Sequence, residues 1–184
     1  MSRRSRFLLA GALIPGVCLV LLTVLRLCGL LIPYSVPTGG MSPAVSPGDH
    51  IVMEGITFLF RPPRRGDIVV FKADGIGSFS PDSKIIKRIA GEPGDHVRIA
   101  HERLFINDKL VSLSNALGGI AYYLPPSSMS SQNEATVPSG CYFVLGDNST
   151  NSYDSRFWGG LPRENIIGRV SFCNWPPKRA GRVK

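Results

Sequence analysis

Cysteine and histidine are scarce in this 184-residue chain, at four and three residues. None of them falls in a CxxC or Cys/His spacing, so the sequence offers no zinc site, and no cofactor is expected. Charged residues make up only 18% of the chain against 43% hydrophobic, too few charges for a disordered protein. No internal repeat recurs at a solenoid period, and no low-complexity tract is long enough to name. No basic face is interleaved with aromatics on a folded element, which argues against nucleic acid as a partner. Outside the N-terminal region no long helical periodicity is found. What is abundant is glycine (20) and proline (15), scattered along the chain, as suits a turn-rich β protein.

The net charge of +8 gathers at the ends, with Arg3, Arg4 and Arg6 opening the chain and Lys178, Arg179, Arg182 and Lys184 closing it. Flanking a membrane segment and forming a basic tail over residues 176–184, these charges fit attraction to anionic lipid. Between them lies an apolar stretch, Phe7 to Ile32, with Arg26 as its one charge, and Leu8 to Leu25 alone gives 18 uncharged residues, close to what a bilayer core requires. A cleaved secretory signal has a shorter apolar core and a small-x-small cleavage site, which Gly29-Leu30-Leu31-Ile32-Pro33 does not supply. The expectation is a retained signal-anchor helix over 7–32, single-pass in a bacterial inner (plasma) membrane. The arginines of residues 1–6 place the N-terminus in the cytoplasm, so residues 33–175 form an extracytoplasmic domain. Pro15 bends such a helix without breaking the span.

Past Pro33 the pattern turns to short β-type runs. Strands are predicted at Asp49–Glu54, Asp67–Lys72, Lys84–Ala90, Val97–Ala100, Leu104–Ile106, Leu110–Val111, Tyr142–Leu145 and Ile166–Phe172. The Arg-Gly-Asp of 65–67 reads as a turn entering a strand. Residues 112–138 form a polar stretch with Gly118-Gly119 and Pro125-Pro126, an insertion or mobile loop. The fold class is mostly β, built of several small coiled sheets after one N-terminal helix. Cys141 and Cys173 read either as two small buried residues or as a disulfide in an oxidising compartment.

Four segments carry the chemistry. The first is Val36-Pro37-Thr38-Gly39-Gly40-Met41-Ser42-Pro43, followed by Gly48-Asp49. The second is Arg65-Gly66-Asp67-Ile68-Val69-Val70-Phe71, and the third Ile86-Lys87-Arg88-Ile89-Ala90-Gly91-Glu92-Pro93-Gly94-Asp95. The fourth runs from Gly146-Asp147-Asn148 through Asn151-Ser152-Tyr153-Asp154-Ser155-Arg156 to Trp158-Gly159. In this order after an anchor, they resemble the type I signal peptidases (leader peptidases), Ser/Lys-dyad serine endopeptidases that remove signal peptides from exported preproteins. The resemblance implies that Lys87 is the general base and that Thr38 helps bind the oxyanion beside Met41. It makes Ser152 the residue that positions the lysine ammonium. It also implies that Asp147, Asp154 and Arg156 hold the site together. The family's nucleophilic serine falls at Gly40, which has no side chain with which to attack.

Lys87 has support apart from the resemblance. A lysine acts as a base near neutral pH only if its pKa is depressed, chiefly by desolvation. On a strand it shares a face with Ile85 and Ile89. Read alone, Lys87-Arg88 better suits an exposed basic strand edge, and Asp147, Asp154 and Arg156 suit a turn held by Asx hydrogen bonds and a salt bridge.

Gly40 leaves three readings open. The chain is a catalytically dead homologue, or Ser42 substitutes as nucleophile, or the chain is a membrane-tethered module that captures extended signal-peptide-like segments by strand addition. Ser42 lies two residues along, about 6.6–6.8 Å in an extended chain, and needs a local rearrangement to reach the lysine. Thr38 has the same displacement in the other direction.

Overall fold

The computed structural model describes residues 3–112, 116–117, 119–123 and 134–183, with the side chains of the first helix described from residue 14 onward. In chain order the elements are helix α1 (Arg3–Leu27), strands β1 (Leu31–Ser35) and β2 (His50–Glu54), helix α2 (Thr57–Phe60), and strands β3 (Ile68–Lys72), β4 (Lys84–Gly91), β5 (His96–Ala100), β6 (Arg103–Ile106), β7 (Lys109–Leu110), β8 (Glu134–Thr136) and β9 (Cys141–Leu145). Helix α3 (Ser155–Trp158) and strands β10 (Leu161–Pro162), β11 (Ile166–Trp175) and β12 (Gly181–Arg182) follow. The mostly-β expectation stands. An eight-stranded sheet runs β1-β2-β11-β3-β4-β9-β10 with β12 added to β11, and a four-stranded sheet runs β7-β6-β5-β8.

The large sheet is covered on both faces. Successive side chains of a strand point to opposite sides, so Ile68 and Val70 of β3 enter one core with Met41, Val45, Ile51 and Met53. Val69 and Phe71 enter another with Ile89, Tyr142, Val144 and Leu161. This explains why β3 is buried at four consecutive residues, Ile68 to Phe71, instead of alternating. The small sheet packs its own core, built on Val97, Ile99, Leu104 and Ile106, against Phe143 and Leu145 of β9.

Four differences from the sequence reading have physical causes. The apolar stretch is not helical to Ile32. Helix α1 ends at Leu27, and Gly29 takes φ +68°, the left-handed conformation that favours glycine at a helix end. Leu31 and Ile32 then pair with Glu54 and Met53 in β1 and β2. Pro15 does lie inside the helix. Among the described residues no helix is long and apolar enough to cross a membrane.

The region 112–138, expected as an insertion or mobile loop, contributes one strand to the small sheet and side chains to its core. Leu117 and Tyr122 are buried in its core, and β8 pairs with β5. Residues 113–115, 118 and 124–133 lie outside the described residues.

Nor do the basic C-terminal residues form a free tail, because β12 pairs with β11 and Arg179 binds Asp49. Cys141 and Cys173 are both free, which removes the disulfide alternative. Within the Arg-Gly-Asp turn, the Asp67 carboxylate accepts from Arg61 Nη1 at 2.8 Å and from the Arg64 N–H at 2.9 Å.

Candidate active site

Strand β4 delivers Lys87 to the interior. It stands opposite Val69, in line with Ile85 and Ile89, and is only 6% exposed. Burial pushes its pKa below the usual lysine value. Asp154 and Asp147 pull it back up, Arg156 adds to the lowering, and the net shift is downward. Arg88, the next residue, points the other way along the pleat and is also buried. Its Nε and Nη2 donate to Asp147 Oδ1 and Oδ2 at 2.9 and 2.6 Å, and Nη1 donates to the Gly66 carbonyl at 3.1 Å.

The loop between β1 and β2 brings Gly40 to the lysine. A Cβ placed on Gly40 would lie 3.3 Å from Lys87 Nζ and 3.1 Å from the Asn151 carbonyl oxygen. A hydroxyl one bond beyond that Cβ enters the range of about 2.6–3.2 Å in which a nucleophile and its base exchange a proton. The glycine therefore occupies the place where a side chain would meet the amine.

The segment after β9 fastens this loop. The Asn148 N–H donates to the Gly40 carbonyl at 3.1 Å, and Asn148 Nδ2 donates to the Gly39 carbonyl at 3.2 Å. A Cβ on Gly146 would fall 2.1 Å from Ser152 Oγ and 2.5 Å from the Gly40 carbonyl oxygen, so only glycine allows the two segments to approach this closely. Ser152 Oγ is buried there with no hydrogen-bond partner among the described residues.

Asp154 caps α3 and accepts from its own neighbour. Arg156 Nε and Nη2 reach Asp154 Oδ1 and Oδ2 at 2.8 and 2.9 Å, and the Gly146 N–H reaches Oδ2 at 2.9 Å. Arg156 also donates to Ser149 Oγ at 2.7 Å and to the Ser149 carbonyl at 2.9 Å. Both Asp154 and Arg156 are fully buried.

One cleft of about 520 Å³ opens here, and its lining includes Thr38, Gly40, Met41, Lys87, Ser152 and Tyr153. Thr38 is solvent-exposed at its mouth. Ser42 stands apart from this lining, and its hydroxyl donates to Ser46 Oγ at 3.3 Å. Thus the sequence-predicted residues Gly40, Lys87, Thr38, Met41 and Ser152 come together around the cleft. Asp147, Asp154 and Arg156 stand behind it, and Ser42 lies outside its lining.

Three contributors were not singled out from sequence. Arg88 is the true partner of Asp147, and its adjacency to Lys87 was the available signal. Asn148 sat inside the quoted Gly-Asp-Asn segment, where its amide signalled loop-to-loop bonding. Asn151 supplies the carbonyl facing Gly40, and nothing local to it announced that.

Removing the Asp147 carboxylate takes a buried, two-point counter-charge from the Arg88 guanidinium. Asp147→Ala is expected to destabilise the protein by about 3–5 kcal/mol, read by chemical denaturation of the full chain in detergent. A loss within the ordinary surface range of about 0.5 kcal/mol would contradict the pairing.

A family model described as "Signal peptidase, peptidase S26" matches residues 9–175. The chain is 37% identical over 166 residues to thylakoidal processing peptidase 1, chloroplastic, of Arabidopsis thaliana, covering 87% of this chain and 46% of that protein. It is 37% identical over 147 residues to probable signal peptidase I-2 of Synechocystis sp., covering 79% of this chain and 64% of that one. The chain thus spans less than two thirds of the length of either relative. The crystal structure of a signal peptidase I from Enterococcus faecalis V583 aligns with a TM-score of 0.46 and 28% identity, over 60% of this chain and 98% of that one.

Proposed function

The chain belongs to the signal peptidase family, peptidase S26, and from that premise we propose that it is built as a signal peptidase I, a Ser/Lys-dyad serine endopeptidase for signal peptides of exported preproteins, and that glycine at position 40 withholds the nucleophile. The chain as it stands then binds the extended, small-residue end of a signal peptide across the cleft without cutting it. Lys87 is the general base, Thr38 the oxyanion donor beside Met41, and Ser152 the residue that orients the amine. Asp147, Asp154 and Arg156 scaffold them. The single observation that carries this reading is the 3.3 Å separation between a Cβ at residue 40 and Lys87 Nζ.

Ser42 is not favoured as a substitute, since its hydroxyl is engaged with Ser46. The apolar stretch 7–32, whose side chains before residue 14 lie outside the described residues, serves in this reading as a single-pass anchor in a bacterial plasma membrane, with the arginines of residues 1–6 on the cytoplasmic side. In support, Ile14, Val17, Leu19 and Val20 are each more than 60% exposed on its surface, apolar area that calls for an apolar surrounding.

The test uses a fluorescent peptide with a small-x-small end and the full chain in detergent. Saturable binding without cleavage is expected, competed by the unlabelled peptide. Failure of both the native chain and Gly40→Ser to bind the peptide would reject the reading. Cleavage by the native chain that is lost on Ser42→Ala would instead establish Ser42 as the nucleophile.

A further inference from the structure

The basic C-terminal stretch and the loop that carries Gly40 meet at one buried carboxylate. The side chain of Asp49 is only 2% exposed. Its Oδ2 accepts the Ser46 N–H at 2.8 Å. Arg179 closes over it with Nε 2.9 Å from Oδ1 and Nη2 2.9 Å from Oδ2. The same Nη2 donates to the Pro43 carbonyl at 2.9 Å, with the Ala44 carbonyl at 3.4 Å. One planar guanidinium therefore grips the loop at its last residue and at two carbonyls just beyond Gly40. A lysine, as a point charge, does not reproduce that fork.

Both partners of this contact are anchored. The loop ends are tied by the Val36 N–H to the Asp49 carbonyl and the Gly48 N–H to the Val36 carbonyl, each at 2.9 Å. Met41 and Val45 pin its middle in the core, and the Val45 N–H reaches the Met41 carbonyl at 2.9 Å. Arg179 sits in a turn, its N–H donating to the Pro176 carbonyl at 2.9 Å. Beyond it, β12 pairs with β11, and Val183 packs against the core that holds Met41. The C-terminal stretch is thus a strap across the loop, fixed on both sides of Arg179.

We propose that Arg179 is a positioning residue that, by holding Asp49 and the Pro43 and Ala44 carbonyls together, keeps position 40 against Lys87. The proposal rests on the reading of position 40 as the nucleophile position. A displacement of about 1 Å at a reacting group far from the altered residue costs on the order of 10²-fold in rate.

The experiment compares Arg179→Ala and Arg179→Lys, each in the full chain with and without Gly40→Ser. In the Gly40→Ser background, Arg179→Ala is expected to lower kcat about 10²-fold with KM nearly unchanged. Arg179→Lys should lose less, and added guanidinium ion should restore kcat to the alanine variant alone. Lowered thermal stability with the kcat of the folded protein unchanged would show a purely structural clamp and overturn the proposal. Where the alanine variant does not fold, the lysine variant carries the same comparison. If Gly40→Ser itself does not cleave, the reading of position 40 fails on its own. The Arg179 proposal is then decided in the native chain by the amide resonance of Gly40 and the ε-resonance of Lys87. Displacement of both on Arg179 substitution is expected, and unmoved resonances would overturn it.

Discussion

Gly40→Ser is expected to raise the rate of small-x-small peptide cleavage on the order of 10⁶-fold, the scale on which a serine protease loses turnover when its nucleophile is removed. The geometry allows the substitution. The new Cβ meets Lys87 Nζ at 3.3 Å and the Asn151 carbonyl oxygen at 3.1 Å. Both contacts are tight, but the first is with the end of a flexible side chain and the second with an exposed turn residue, so a few tenths of an ångström of movement relieves them. Gly40 itself is not in a positive-φ conformation, so the backbone sets no barrier to a side chain. The gain should appear in kcat, because the cleft proposed to hold the peptide is already formed. The check is initial-rate kinetics of the two proteins side by side. A Gly40→Ser protein that folds and binds peptide but cleaves no faster than the native chain would show that position 40 is not the reacting position.

Lys87→Met in the Gly40→Ser protein is expected to return the rate to that of the native chain. Groups that act as a unit are strongly non-additive, so losing the base costs nearly as much as losing the nucleophile. The same substitution should make the protein more stable, which a purely structural lysine would not predict. Burial holds Lys87 below its ordinary pKa, so between the folded value and the ordinary value the unfolded state carries more protons than the folded one. Stability therefore rises with pH through that alkaline window, and below it the cost of burying the charge is present in full. Methionine removes both the cost and the slope. Thermal unfolding as a function of pH reads this directly. A Lys87→Met protein that is less stable at neutral pH, or that keeps the alkaline rise, would contradict the desolvated amine.

Much of this site was legible in the sequence because its parts are local. Alternation along a strand placed Ile85 and Ile89 beside Lys87, and the four segments in order pointed to the loop of Gly40, to Lys87 and to the carboxylates and arginine packed near them. What was not legible depends on register between distant segments. The bond between Arg88 and Asp147 spans 59 residues and that between Asp49 and Arg179 spans 130, so neither leaves a local pattern. The sequence marks Asp147 as one of the residues around the cleft, but nothing near it identifies which arginine it holds. The end of the chain looked like a charged tail because its charges are visible in one dimension and its carboxylate partner is not. Similarly, Leu31 and Ile32 continue an apolar run, and only pairing with β2 reveals them as strand. Gly29 was the one local sign that the helix stops before them.

The amine that faces residue 40 is the centre of the account, and its titration tests it most directly. With lysine ε-positions isotopically labelled and Lys87 assigned by its substitution, the NMR shift followed against pH in the full native chain should give a Lys87 midpoint clearly below the ordinary lysine value. A Lys87 midpoint at the ordinary lysine value would mean a hydrated ammonium, and the reading of Lys87 as a base facing an absent nucleophile would not stand.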